Sequence, residues 1–140
     1  MVKIALGEPN KIDGFITIDN YGNPDILFDL ENGIPMPDNS CEYIQANQLV
    51  EHIRNIEKLF REMYRVCKNG AIIHIETPHR ESEESWIDIT HVNHWSKQTP
   101  EWLCGDNYLA RKNGWKFELV NKSIAGWNMI FEMRVVKPQR

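Results

Sequence analysis

Three histidines and an aspartate, His79, Asp88, His91 and His94, fall within one polar stretch, and His91 and His94 stand three residues apart. Imidazoles and carboxylates grouped like this do one of three things. They move protons for a reaction, hold a zinc- or iron-class ion, or satisfy the backbone of a loop. Spacing alone leaves all three open. A second set lies near the N-terminus, where Gly7, Asp19 and Asp29 each close a short apolar run. A glycine there lets a ligand approach the backbone, and a carboxylate after the next strand can accept both hydroxyls of a ribose. In open α/β sheets ligands bind beyond the carboxyl ends of the strands, so these three residues mark a nucleotide-type site.

The elements that would position them follow from periodicity. Apolar runs at 2–6, 15–18 and 26–28 read as buried strands, with a weaker fourth at 43–46. Helical spacing of Leu49, Ile53, Ile56, Leu59, Phe60, Met63 and Val66 predicts a helix over 49–68, with Asn69-Gly70 as its stop and a β-branched strand at 71–75 after it. That strand–helix–strand order is a parallel crossover. The polar stretch 79–97 is long for a compact domain, and such loops tend to be functional. A helix is predicted over 99–112, and runs at 115–120 and 129–136 form a closing antiparallel pair. The fold class is therefore α/β: a Rossmann-like, mostly parallel sheet with a C-terminal antiparallel pair. Only seven residues separate Gly7 from Phe15, whereas a helical crossover takes about a dozen, so the first crossover helix is missing or reduced.

The 140 residues suit a single domain over 1–140. The net charge of -4 disfavours nucleic acid as a partner, which would select a basic surface. Cys41, Cys67 and Cys104 include no CxxC, which removes zinc-ribbon and thioredoxin-type sites. No signal-like or membrane-spanning run is present, so no membrane partner and a cytoplasmic location are expected.

The run Ile4-Ala5-Leu6-Gly7, then Asp13-Gly14-Phe15-Ile16-Thr17-Ile18-Asp19, then Phe28-Asp29-Leu30-Glu31, resembles small class I S-adenosylmethionine-dependent methyltransferases of the type 11-like group. So do Ile34-Pro35-Met36-Pro37-Asp38-Asn39-Ser40, Glu51-His52-Ile53 and Glu62-Met63-Tyr64-Arg65-Val66-Cys67-Lys68-Asn69-Gly70. The likeness spans roughly residues 3–103. It implies S-adenosylmethionine as cofactor, with Gly7 beside the methionine moiety, Asp19 on the ribose, and Asp29 or Leu30 at the adenine. It further implies that Pro78-His79 and Asp88-Ile89-Thr90-His91 lie above the acceptor, so His79, Asp88 and His91 are the candidate catalytic residues and no metal ligand is assigned. The acceptor, a small molecule or another group, is not specified.

Two features depart from the family pattern. Gly7-Glu8-Pro9 stands where a Gly-x-Gly turn is usual, and Pro9 removes a backbone donor. A non-catalytic binding or assembly protein with a degenerate cofactor turn is thus the second reading, and a metal-dependent enzyme using the His79–His94 loop the third. The missing helix, in turn, would leave an apolar sheet face bare near the first strands, which predicts a homodimer across it. Of the aromatic residues in the loop, Trp86 and Trp95 are read as anchors. His52 is read as a contact at the start of the long helix.

Overall fold

The computed structural model describes residues 1–139. Its sheet has seven strands in the order β3-β2-β1-β4-β5-β7-β6. These are β1 (Val2–Leu6), β2 (Ile16–Asp19), β3 (Ile26–Leu27), β4 (Cys41–Asn47), β5 (Cys67–Pro78), β6 (Phe117–Ala125) and β7 (Asn128–Val135). The first five pair in parallel, while β7 runs antiparallel to both β5 and β6. The chain order reverses beside β1, so the carboxyl ends of β1 and β4 flank a crevice.

The main helix, α1 (Ile56–Val66), buries Leu59, Phe60, Met63 and Val66 on one stripe against the sheet. Phe60 meets Trp95, Trp115 and Phe117 with ring centroids 6.0–6.4 Å apart, which closes the core between α1 and the antiparallel pair. α1 is shorter at both ends than its apolar spacing predicts. A 3-10 turn, Val50–His52, comes first, and Asn55 caps α1 by accepting from the Lys58 amide. The amides of Arg54 and Asn55 are taken by the two carboxylate oxygens of Glu31, and this distant contact breaks the helix where periodicity would continue it. At the other end Cys67 turns extended and pairs with Cys41, so β5 starts four residues before Ala71. Arg65 in the last turn binds Glu62, Asp38 and the carbonyl of Ile34, pinning the proline-bearing loop before β4.

The helix expected over 99–112 is two, α3 (Thr99–Leu103) and α4 (Tyr108–Asn113). The Asn107 side chain accepts from the amides of Leu109 and Ala110 and starts α4 afresh. The polar stretch 79–97 contains one short helix, α2 (Glu84–Ile87). Trp95 there is buried and anchors the stretch against Phe60 and Phe131, whereas Trp86 lies exposed and stacks on His94 with centroids 3.6 Å apart. No described helix is long and apolar enough to cross a membrane.

Residues 7–15 hold no helix, and Gly7 donates directly to the Ile18 carbonyl. The sheet face away from the core is nevertheless not the apolar surface expected. Strict alternation in β4, β5 and β7 sends Ile44, Ala46, Ile73, Ile75, Phe131 and Met133 into the core. Tyr43, Gln45, His74, Glu76, Glu132 and Arg134 point the other way, with Ile72 and Ile130 half-buried among them. Such a face can stand in water along β4, β5 and β7.

On that face His74 lies between two carboxylates, Nδ1 at 3.0 Å from Glu132 and Nε2 at 2.9 Å from Glu76. Burial opposes its charge, but the two hydrogen bonds outweigh burial and raise its pKa. A raised imidazole stabilises the fold fully below the unfolded value of about 6.5, and the contribution fades as pH rises through the folded value. His74→Gln should therefore cost about 1 kcal/mol more at pH 5.5 than at pH 9. Urea unfolding at the two pH values checks this, and an equal cost at both would show that the pair is uncharged.

Candidate functional site

A cleft of about 480 Å³ opens at the carboxyl ends of β1, β2 and β4. Gly7, Asp19, Asp29 and Leu30 all line it, together with Tyr21, Gln48, Leu49, His52, Ile53 and Thr90. Gly7 has φ +73°, and a Cβ there would stand 2.9 Å from Leu49 Cδ1, so the turn after β1 and the residue after β4 already touch. Asp19 ends β2; one of its oxygens accepts from the Asn20 amide at 2.7 Å. Asp29 caps the 3-10 turn Leu30–Asn32 by accepting from the Glu31 amide. Glu8 is not among the lining residues, and Pro9 turns away, its carbonyl accepting from Asn23.

The charge of the cleft is one-sided. Asp19, Asp29 and Glu31 line it, and among the described residues no lysine or arginine does.

Over one rim runs the segment 88–93, fastened to the turn Val50–His52 by backbone bonds. The Val92 amide donates to the Glu51 carbonyl, and the Asn93 side chain donates to the carbonyls of Val50 and Ile53. This brings Glu51, His52, Thr77, Asp88, Thr90 and His91 together. Glu51 is buried and takes the Thr77 hydroxyl at 3.0 Å; burial pushes its carboxyl above the usual range. His91 contacts the Ser85 carbonyl through Nδ1 at 3.0 Å, and its Nε2 lies 3.5 Å from Asp88 and 4.0 Å from Glu51. Thr90 donates its hydroxyl to Asp88 at 2.7 Å, and His52 Nδ1 stands 3.0 Å from the same hydroxyl. Hydrogen bonds from the Thr90 hydroxyl and amide hold Asp88 below the usual carboxylate range.

Of the three residues expected to face an acceptor, Asp88 and His91 share this cluster and His79 does not. His79 is buried, with Nε2 at 2.8 Å from the Gly126 carbonyl, and it fastens the turn between β6 and β7. His94 is also elsewhere, engaged by Ser85 and Trp86. The set of four expected to act through one loop is thus split three ways. His52 is not at a helix start; it ends a 3-10 turn and lines the cleft. Glu51 carries no assigned role in the run Glu51-His52-Ile53, and a glutamate on an otherwise apolar stripe beside Val50 and Ile53 is the available signal.

Comparison with known proteins bears on the fold. A family model described as methyltransferase domain matches residues 17–75. No curated protein matches the sequence. Among solved structures, an S-adenosylmethionine-dependent methyltransferase from Aquifex aeolicus superposes with TM-score 0.69 at 18% identity, covering 97% of this chain and 82% of its own. A Haloferax volcanii methyltransferase, solved in complex with the Trm112 methyltransferase activator, gives TM-score 0.68 at 9% identity, with 99% and 83% covered. The Burkholderia thailandensis 1,6-didemethyltoxoflavin-N1-methyltransferase, solved with that substrate and S-adenosylhomocysteine, gives 0.65 at 7% identity, with 96% and 71% covered.

Proposed function

From its class I S-adenosylmethionine-dependent methyltransferase fold and its match to the methyltransferase domain model over residues 17–75, we propose that this chain binds S-adenosylmethionine in the cleft and transfers its methyl group directly to an acceptor beneath residues 88–92. The observation that carries the reading is the charge of the cleft. A dinucleotide would bring two phosphates to three carboxylates with no lysine or arginine beside them among the described residues, an arrangement Coulomb repulsion disfavours. S-adenosylmethionine brings a sulfonium and an ammonium instead. The volume, about 480 Å³, is within the range of small-molecule sites. The S-adenosylhomocysteine bound to the B. thailandensis neighbour supports the same reading.

When bound, the cofactor supplies a methyl group already activated on sulfur. The chain's part is placement and exclusion of water. Gly7 presents bare backbone to the methionine moiety, and Asp19 accepts from the ribose hydroxyls through the oxygen that Asn20 leaves free. Leu30, Leu49 and Ile53 offer apolar surface to the adenine, with Asp29 at its edge. Asp88, His91 and His52 stand on the acceptor's side, where one of them takes a proton only if the acceptor must lose one to react. His79 stands apart from this cluster, with its Nε2 bonded to the Gly126 carbonyl.

A second reading is a binding protein of the same fold that works through a partner. It is favoured by the activator-bound H. volcanii neighbour and by the absence of a helix between β1 and β2. Calorimetric titration with S-adenosylmethionine, S-adenosylhomocysteine and NAD⁺ separates the possibilities. Binding of the first two near the micromolar range, with none of NAD⁺, is expected. Failure of all three would remove the methyltransferase reading and leave the partner-dependent one.

A further inference from the structure

The geometry points to a divalent-metal site at the rim of the cleft, formed by Glu51, His52 and His91 and suited to a zinc-class transition-metal ion. One ligand atom from each of the three lies within 4.8 Å of the others. Glu51 Oε2 stands 3.9 Å from His52 Nε2 and 4.0 Å from His91 Nε2, while its other oxygen is occupied by Thr77.

The hydrogen bonds on the far side of each ring fix where the protons are. A carbonyl only accepts, so His91 donates from Nδ1 to Ser85. Thr90 gives its one hydroxyl proton to Asp88, so His52 donates from Nδ1 to the Thr90 oxygen. In the neutral rings both Nε2 atoms then carry lone pairs, and both are turned toward a buried carboxylate oxygen. Three electron-rich atoms in a poorly solvated pocket repel unless positive charge stands among them. Three things can relieve the repulsion: a proton on Glu51, protons on the imidazoles, or a metal ion.

Several features favour the ion. An imidazole ligand whose other nitrogen donates to a carbonyl, or to a carboxylate through a hydroxyl, has the outer support that metal-binding histidines ordinarily have. Two imidazoles and a carboxylate are a ligand set for first-row divalent ions that leaves coordination positions open. Asp88 Oδ2, 3.5 Å from His91 Nε2, offers a further oxygen. Bond lengths of roughly 2.0–2.2 Å require ligands about 3–3.5 Å apart, so an ion would draw the three inward. His52 can follow, because its side chain is 33% exposed. By contrast His74 has both ring nitrogens bound to carboxylates and keeps no open position.

The open positions would face the cleft that His52 and Thr90 line. Under the methyl-transfer reading, on which this clause alone rests, the ion takes an oxygen of the acceptor, which makes a hydroxyl-bearing molecule the fitting substrate class.

The test uses untagged full-length protein, stripped by chelator and titrated calorimetrically with ZnCl₂. A parallel titration with CoCl₂ is followed by visible d–d absorption. One equivalent should bind with Kd of about 1 μM or tighter, with cobalt bands of a coordinated site. His52→Ala and His91→Ala should each weaken it by roughly 100-fold, while His74→Ala and His94→Ala should not. His52→Ala removes a partly exposed ring, so unchanged circular dichroism is expected and a folding failure is separable. No binding by the wild type, or binding that persists in His52→Ala and His91→Ala, would overturn the site and leave protons as the charge. Cofactor titration is a separate measurement, so the metal site and the methyltransferase reading fail independently.

Discussion

Asp19→Ala should weaken binding of S-adenosylhomocysteine by roughly 100-fold, about 2.7 kcal/mol, since a carboxylate accepting two hydroxyls forms two charge-assisted hydrogen bonds. The residue ends β2 at the mouth of the cleft, and among the described residues its side chain accepts only from the neighbouring Asn20 amide. The fold should therefore tolerate the change, and the loss should appear in calorimetry with an unaltered melting curve. Asp29→Ala is the informative contrast, because it also removes the cap of the turn Leu30–Asn32 and should lower stability as well as affinity. Unchanged affinity in Asp19→Ala would mean that the ligand lies elsewhere in the cleft.

Gly7→Val should cost roughly 3 kcal/mol of stability or more. A β-branched residue at φ +73° is strained in itself. Its Cβ would also stand 2.9 Å from Leu49 Cδ1 and 3.1 Å from Leu49 Cβ, an overlap the backbone must move to relieve. Thermal and urea unfolding should show an early transition, and the cofactor should bind weakly because Gly7 and Leu49 are both walls of the cleft. A native-like melting curve would mean that the turn can shift as a unit. Gly7 is thus needed first by its neighbour Leu49.

The sequence disclosed the strands and the carboxyl-end cleft well. Apolar runs ended by Gly7, Asp19 and Asp29 carry both the element and its place at the cleft, since a buried strand and the residue terminating it are local properties. The parallel crossover through α1 was equally readable from its apolar stripe. The ends of α1 were not, because Glu31 reaches across from residue 31 to hold the amides of Arg54 and Asn55, and periodicity has no knowledge of such contacts. The histidine stretch failed for a related reason. His79, His91 and His94 are close in the chain, yet each is claimed by a different group: Gly126, the Glu51 turn and, within the stretch itself, Trp86. Conversely Glu51 and His91 are forty residues apart and meet only because Val92 and Asn93 are bonded to the turn Val50–His52. Gln48, Tyr21 and Thr90 line the cleft with no chemical signature that a sequence could offer.

The polar outer face of the sheet has a consequence for assembly of the fold itself. Side chains in a strand alternate, so a slip of β5 by a single residue would carry His74 and Glu76 into the interior and turn Ile73 and Ile75 out to solvent. With Glu132 and Arg134 opposite on β7, the same slip there would add two further charges to a dry core. Odd-numbered slips are thereby penalised along both strands, and the wet face acts as a proofreader against them.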